Sequence, residues 1–240
     1  MIRVSLKAQP LLLLFFLSGL AGLAYELVFT KLLGYIFGTT AYATSTVLAG
    51  FMAGLALGSA VIARYADRIR RPLRVYAGVE LGIGAYMLAV PLLMHAVLAG
   101  YVGLNQLAPL SVPELNLVRF VLGAAVILPP SALMGATLPL LARQFVRSGH
   151  PHQHIVARLY ATNTFGAAAG ILVANYLLLP WTGLYGAIGG GALVNLYVGI
   201  RALRLDRAMA ESITQFDDAP AAFPPAKQRN RILLLAACLT

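Results

Sequence analysis

Residues 50–74 read GFMAGLALGSAVIARYADRIRRPLR. Glycines stand at every fourth position (Gly50, Gly54, Gly58) of an apolar run, which then enters a short stretch carrying Arg64, Asp67, Arg68, Arg70, Arg71 and Arg74. A second apolar run follows at once. Two long apolar segments separated by a tight basic loop predict two membrane-spanning helices joined by a short turn. Short Lys/Arg-rich loops stay on the cytoplasmic side, so the same turn orients both helices. Residues four apart share a helix face, and small residues there let a neighbouring backbone approach closely. The three glycines therefore predict a helix-packing stripe, as do Gly166/Gly170 and Gly186/Gly190 further along.

The composition agrees. Hydrophobic residues make up 60% and charged residues 11%, with a mean hydropathy of +0.80; a soluble domain carries about 25% charged residues. A formal charge of +10 would suit a nucleic-acid binder. Here the cations sit in short loops between apolar runs and form no basic face, so the expected partner is a lipid bilayer and no nucleic acid is expected. Cys238 is the single cysteine, which rules out an intrachain disulfide or a CxxC metal site. His150, His152 and His154 cluster with no cysteine or carboxylate nearby, a pattern expected of a solvated loop and not of a metal centre. No GxSxG, HExxH or Walker motif occurs, and the triple glycine at 189–191 lies inside an apolar run, away from any strand-to-helix turn that would cradle a phosphate. No catalytic, cofactor-binding or metal-binding residue is expected in this stretch of chain.

Six apolar segments can be read, at 10–37, 41–63, 73–100, 117–146, 156–180 and 183–203. The first begins like a secretory signal, with Arg3 and Lys7 before Leu11–Leu17 and then SGLAGLA. Apolar sequence continues to Phe37, however, so an uncleaved span is expected. The loops alternate in charge. Arg3 and Lys7 precede the first span, the arginine cluster follows the second, Arg143, Arg147 and Arg158 flank the fourth loop, and Arg201, Arg204 and Arg207 follow the sixth span. The intervening loops hold only Glu114. The pattern predicts six spans with both ends cytoplasmic, in an inner (plasma) membrane. Lys31 and Arg119 break the rule near outer helix ends, where long side chains snorkel.

The expected organisation is an all-α transmembrane bundle at 1–204, a polar cytoplasmic linker at 205–231 and, at 232–240, the start of a further transmembrane helix. Nine residues span about 14 Å as a helix, short of the roughly 30 Å hydrocarbon layer, so the chain reads as the N-terminal piece of a longer protein. An internal echo, Ala43-Thr44-Ser45-Thr46 against Ala161-Thr162-Asn163-Thr164, each followed by paired glycines, suggests a repeat of three helices. Pro129-Pro130 and Pro139 predict kinks in the fourth span.

Ionisable groups in hydrocarbon are functional candidates by default. Glu26, Glu80 and Asn163 form the candidate intramembrane polar site, with Lys31, His95, Asn175 and Asn195 also inside spans. Lys31 lies five residues from Glu26, about 140° round the helix, so the two are not natural partners. Glu80 stands near the cytoplasmic start of its span and is expected to pair at the rim with Arg74 or another loop arginine.

The loop DRIRRP at 67–72 resembles the cytoplasmic motif G-x-L-a-D-R-x-G-R-R of major-facilitator transporters through Asp67, Arg68 and Arg71, with Ala63 and Arg70 replacing its glycines. Six spans, a linker and a seventh start likewise resemble one half of such a transporter, built as a 3+3 inverted repeat. Longer strings carry a closer likeness. SGLAGLAYELVFTKLLGYIFGTT (18–40), AGFMAGLALGSAVIARYADR (49–68), VYAGVELGIG (75–84), LMGATLPLLAR (133–143) and LYATNTFGAAAGIL (159–172) resemble the membrane region of integral-membrane spermidine synthase-like proteins, in which such a region is fused to a polyamine aminopropyltransferase domain. The resemblance implies that a soluble domain using decarboxylated S-adenosylmethionine follows, and that none of its site residues lies here. It leaves three functions open for this stretch: the membrane module of such a synthase, half of a transporter for a polyamine or other small cation, or an anchor without transport.

Overall fold

A computed structural model describes residues 2–38, 41–65, 68–107, 111–147 and 152–217. They form six helices: α1 (Ile2–Phe37), α2 (Ala41–Tyr65), α3 (Pro72–Leu107), α4 (Val112–Arg147), α5 (His152–Val173) and α6 (Leu179–Asp217), with a π-helical stretch, Ala174–Leu178, between the last two. No strand occurs among the described residues. Five helical segments are long and apolar enough to cross a membrane: Gln9–Phe37, Thr44–Tyr65, Pro72–Gln106, Val112–Val146 and Ile155–Ala210. The first four match the first four expected segments. The last merges the expected fifth and sixth.

The merger has a local cause. Helical hydrogen bonding continues through Pro180, Trp181 and Thr182, where the sequence predicts a loop, and breaks only at Gly183, at φ 67° and ψ −170°. A Cβ on Gly190 would stand 3.7 Å from Leu178 Cδ1, whereas residues this far apart on a straight helix are about 18 Å apart. The chain therefore doubles back at Gly183, in a conformation that an L side chain rarely adopts. Gly186 and Gly190 serve this reversal, facing Thr182 and Leu178 of their own hairpin and not a neighbouring helix.

Two glycine seams close the bundle. Between α2 and α4, Gly54 faces the Ser131 side chain, Gly58 the Ala132 backbone and Gly135 the Leu55 backbone; a Cβ at any of these would overlap its neighbour. A Cβ on Gly50 would make only an ordinary contact, 3.6 Å to Ile127. Between α1 and α5, Gly166 abuts the Phe16 carbonyl, Gly170 the Leu20 carbonyl and Gly19 the Asn163 carbonyl. Tyr25, Phe29, Leu33 and Phe37, four apart on α1, meet Ile83, Met87, Val90 and Met94 of α3 and Val126 and Ile127 of α4 in the buried core.

Helix α4 runs unbroken through Pro129-Pro130 and Pro139. Pro130 has no N–H to give the Val126 carbonyl four residues back, and the Tyr86 hydroxyl from α3 donates to that oxygen at 2.9 Å. The start of α4 is capped by its own sequence, S-x-x-E: the Ser111 N–H and hydroxyl donate to Glu114 Oε2 at 2.7 and 2.6 Å.

Other expectations shift. His152 and His154 stand at the start of α5 and not in a loop, while His150 lies outside the described residues. The bundle forms one unit ending at Asp206. A second unit begins at Arg207, and its described residues, 207–217, are helical. The rest of the expected linker and the 232–240 helix start lie outside the described residues.

Candidate functional site

Among the described residues the one wholly enclosed carboxyl is Glu80, two turns into α3, with no exposed surface. Three helices converge on it because of residue spacing that is local on each. On α3, Tyr76 and Glu80 are four apart and share a face. On α1, Ser18 and Tyr25 are seven apart, two turns along one face. Helix α6 supplies Asn195, and its approach is made possible by small residues: Gly191 lies against the Tyr25 ring, and a Cβ on Gly84 would sit 3.3 Å from Asn195 Cβ. Gly191, the last of the triple glycine at 189–191, thus has a packing role at this site.

A hydrogen-bond chain crosses the three helices. The Tyr25 hydroxyl donates to Asn195 Oδ1 at 2.7 Å, which turns the amide so that Nδ2 donates to Glu80 Oε2 at 2.6 Å. Ser18 and Tyr76 lie against the same carboxyl, yet Glu80 Oε1 and the Tyr76 hydroxyl are buried with no partner at hydrogen-bonding geometry. Tyr25, Tyr76 and Asn195 are buried as fully as Glu80.

The expected rim ion pair of Glu80 does not form. Arg74 is exposed, and Arg71 Nη1 lies 3.9 Å from Asp206 Oδ2. Glu80 points inward because the Tyr76/Glu80 face of α3 is the one that meets α1 and α6; the arginines leave on the solvent side of the turn. Sequence reading missed Ser18, Tyr25 and Tyr76 as members of the site and placed Asn195 only among general cross-helix polar residues. A hydroxyl or amide four or seven residues from another on an apolar helix is the available signal.

The other candidates lie elsewhere. Glu26 is half-buried beside Tyr25, and its carbonyl accepts from Thr30 Oγ1 at 3.0 Å. Lys31 is exposed. Asn163 sits in the α1–α5 seam against Gly19. No hydrogen bond among the described residues joins Glu26 or Asn163 to Glu80. Of the cytoplasmic-loop motif, Arg68 lies over the Tyr65 ring at 5.7 Å and Arg71 pairs with Asp206, while Asp67 is outside the described residues. Arg119, one of the two charge-rule exceptions, donates through Nε and Nη2 to the Tyr101 hydroxyl at 3.1 and 2.8 Å, and that ring meets Phe37 edge-on at 5.3 Å. Among the described residues no group of three His, Cys, Asp or Glu side chains is placed to hold a metal.

The chain is similar to curated proteins named for polyamine chemistry. A polyamine aminopropyltransferase of Corynebacterium efficiens is 28% identical over 186 residues, which cover 75% of this chain and 32% of that protein. Polyamine aminopropyltransferase 1 of Streptomyces coelicolor is 32% identical over 79% of this chain and 33% of its own length. Polyamine aminopropyltransferase 2 of the same organism is 34% identical over 77% and 32%. The chain spans about a third of the length of these relatives. The matches establish a spermidine synthase-like relationship. No family model and no solved structure matches.

Proposed function

We propose that this chain is the membrane-embedded N-terminal module of a spermidine synthase-like polyamine aminopropyltransferase, and that aminopropyl transfer belongs to the part of the protein outside the matched third. The observation that carries the reading is the similarity to three polyamine aminopropyltransferases along three quarters of this chain but only a third of theirs. Apolar residues on both faces of the helices support the membrane setting. Leu92, Phe165 and Trp181 are exposed by 74%, 72% and 85%, a surface suited to lipid.

In this reading the merged fifth segment is two spans folded at Gly183, giving six with both ends cytoplasmic. The seams support a 3+3 inverted repeat. The sequence shift that takes Gly58 to Gly170 also takes Leu20 to Ala132, so the contact of Gly170 with Leu20 repeats that of Gly58 with Ala132. The same shift takes Gly54 to Gly166. This pairing is one helical turn later than the Gly50/Gly54 echo, and it leaves the Ala43–Thr46 and Ala161–Thr164 strings out of register.

The test uses the complete protein that contains this chain. Aminopropyl transfer to a polyamine acceptor is expected to sediment with membranes and to persist there after an alkaline carbonate wash. Activity released wholly into the soluble fraction, or none in any fraction, overturns it.

A further inference from the structure

Among the described residues Glu80 is the one wholly enclosed carboxyl, and every group facing it is uncharged. Ser18 and Tyr25 come from α1, Tyr76 from its own helix and Asn195 from α6, with no Lys, Arg or His among them. The arrangement of donors is uneven. Oε2 receives the Asn195 amide at 2.6 Å, and that amide is fixed from behind by Tyr25. Oε1 has no partner at hydrogen-bonding geometry, and the Ser18 and Tyr76 hydroxyls lie against the same carboxyl.

A carboxylate would place two anionic acceptors in an apolar core against one firm donor. A carboxylic acid presents one acceptor and one donor, which is what the surroundings ask for: Oε2 accepts from Asn195, and an O–H at Oε1 has the Ser18 and Tyr76 oxygens available as acceptors. We propose that Glu80 is a proton-binding site, with the proton held on Oε1 while α1, α3 and α6 are closed around it and released when they part. In the release the Oε1–H bond breaks, the proton passes to water and the carboxylate keeps the electron pair; no other reactant takes part. Closure of the three helices is then linked to one proton. The inference stands on the geometry of the carboxyl and is independent of aminopropyl transfer.

The purified chain in detergent micelles tests it by infrared spectroscopy at neutral pH. A carboxylic-acid C=O band is expected, shifted in deuterium oxide, absent in Glu80→Gln and retained in Glu26→Gln. Thermal melting adds a second readout. The closed state binds a proton that the open state gives up, so the wild-type folding constant falls by up to about tenfold per pH unit as pH rises through the titration, while Glu80→Gln stays flat. Should Glu80→Gln not fold, isotope-labelled glutamate in the wild type and in Glu26→Gln assigns the band. Sodium or spermidine added at fixed pH is expected to leave the band unchanged. A spectrum with carboxylate bands alone, equal pH profiles in wild type and Glu80→Gln, or loss of the band on adding sodium or spermidine overturns the proposal.

Discussion

Gly191 and Gly189 stand two residues apart in the same triple glycine, yet their surroundings differ completely. A Cβ on Gly191 would run into the Tyr25 ring, which is fully buried and fixed by its bond to Asn195, whereas a Cβ on Gly189 would meet nothing within 4 Å. Overpacking against a side chain that cannot move costs about 1–3 kcal/mol. An added methyl in open space on a helix gains up to about 1 kcal/mol of propensity. Gly191→Ala is therefore expected to lower the melting temperature in detergent, and Gly189→Ala to leave it unchanged or raise it. Equal effects from the two would show that α6 does not approach Tyr25 as described. The Tyr25–Asn195–Glu80 chain adds less energy than this packing, since a cross-helix hydrogen bond in a membrane is worth about 0.6 kcal/mol on average. Its contribution is orientation: Asn195 is held between Tyr25 and Glu80, and the chain fixes which carboxyl oxygen is left over.

At the scale of helices, the membrane-embedded reading makes the seams carry the association, because lipid gives apolar side chains no reason to prefer one another and close backbone contact must supply the attraction. Gly54 and Gly58 on α2 and Gly170 on α5 are the points of closest approach. Gly54→Leu, Gly58→Leu and Gly170→Leu are each expected to broaden or shift the gel-filtration profile and to cut the yield of folded protein. Gly78→Leu, at a position open to its surroundings, is expected to elute as wild type. A normal profile for Gly58→Leu would remove the α2–α4 seam. The seams were legible in the sequence because glycine spacing and apolar length are properties of one helix at a time. Gly54/Gly58 and Gly166/Gly170 needed no knowledge of the partner helix to be read as packing surfaces, but the same spacing at Gly186/Gly190 marks a chain reversal, which one helix's sequence does not distinguish. The site was legible only in part. Glu80 stood out as an ionisable residue in an apolar run, but its partner Asn195 lies 115 residues away, and only the way α6 folds onto α3 decides that it meets an amide and not the arginines a turn away. The Tyr86 bond that satisfies the Val126 carbonyl behind Pro130 was hidden for the same reason.

For the whole molecule the open choice is between five crossings and six, and it turns on the stretch from Ile155 to Ala210. As one straight helix those 56 residues would extend about 84 Å at 1.5 Å per residue, more than twice the roughly 30 Å hydrocarbon layer. A chain reversed at Gly183 divides them into two lengths that each fit, and such a reversal is required for a Cβ on Gly190 to stand 3.7 Å from Leu178 Cδ1. The two alternatives place Trp181, which is 85% exposed, in different surroundings. With six crossings it lies at the outer membrane surface, where an amphipathic indole is at home. With five it stands partway along a single element and both ends of that element leave on opposite sides. Single cysteines at Trp181, Ser111 and Arg70, in a Cys238→Ser background, separate these outcomes in intact cells. A membrane-impermeant maleimide is expected to label the first two without lysis and Arg70→Cys only after lysis. Labelling of Trp181→Cys from the same side as Arg70→Cys, or protection of Trp181→Cys on both sides, would discard the Gly183 hairpin as a membrane turn and with it the paired three-helix architecture.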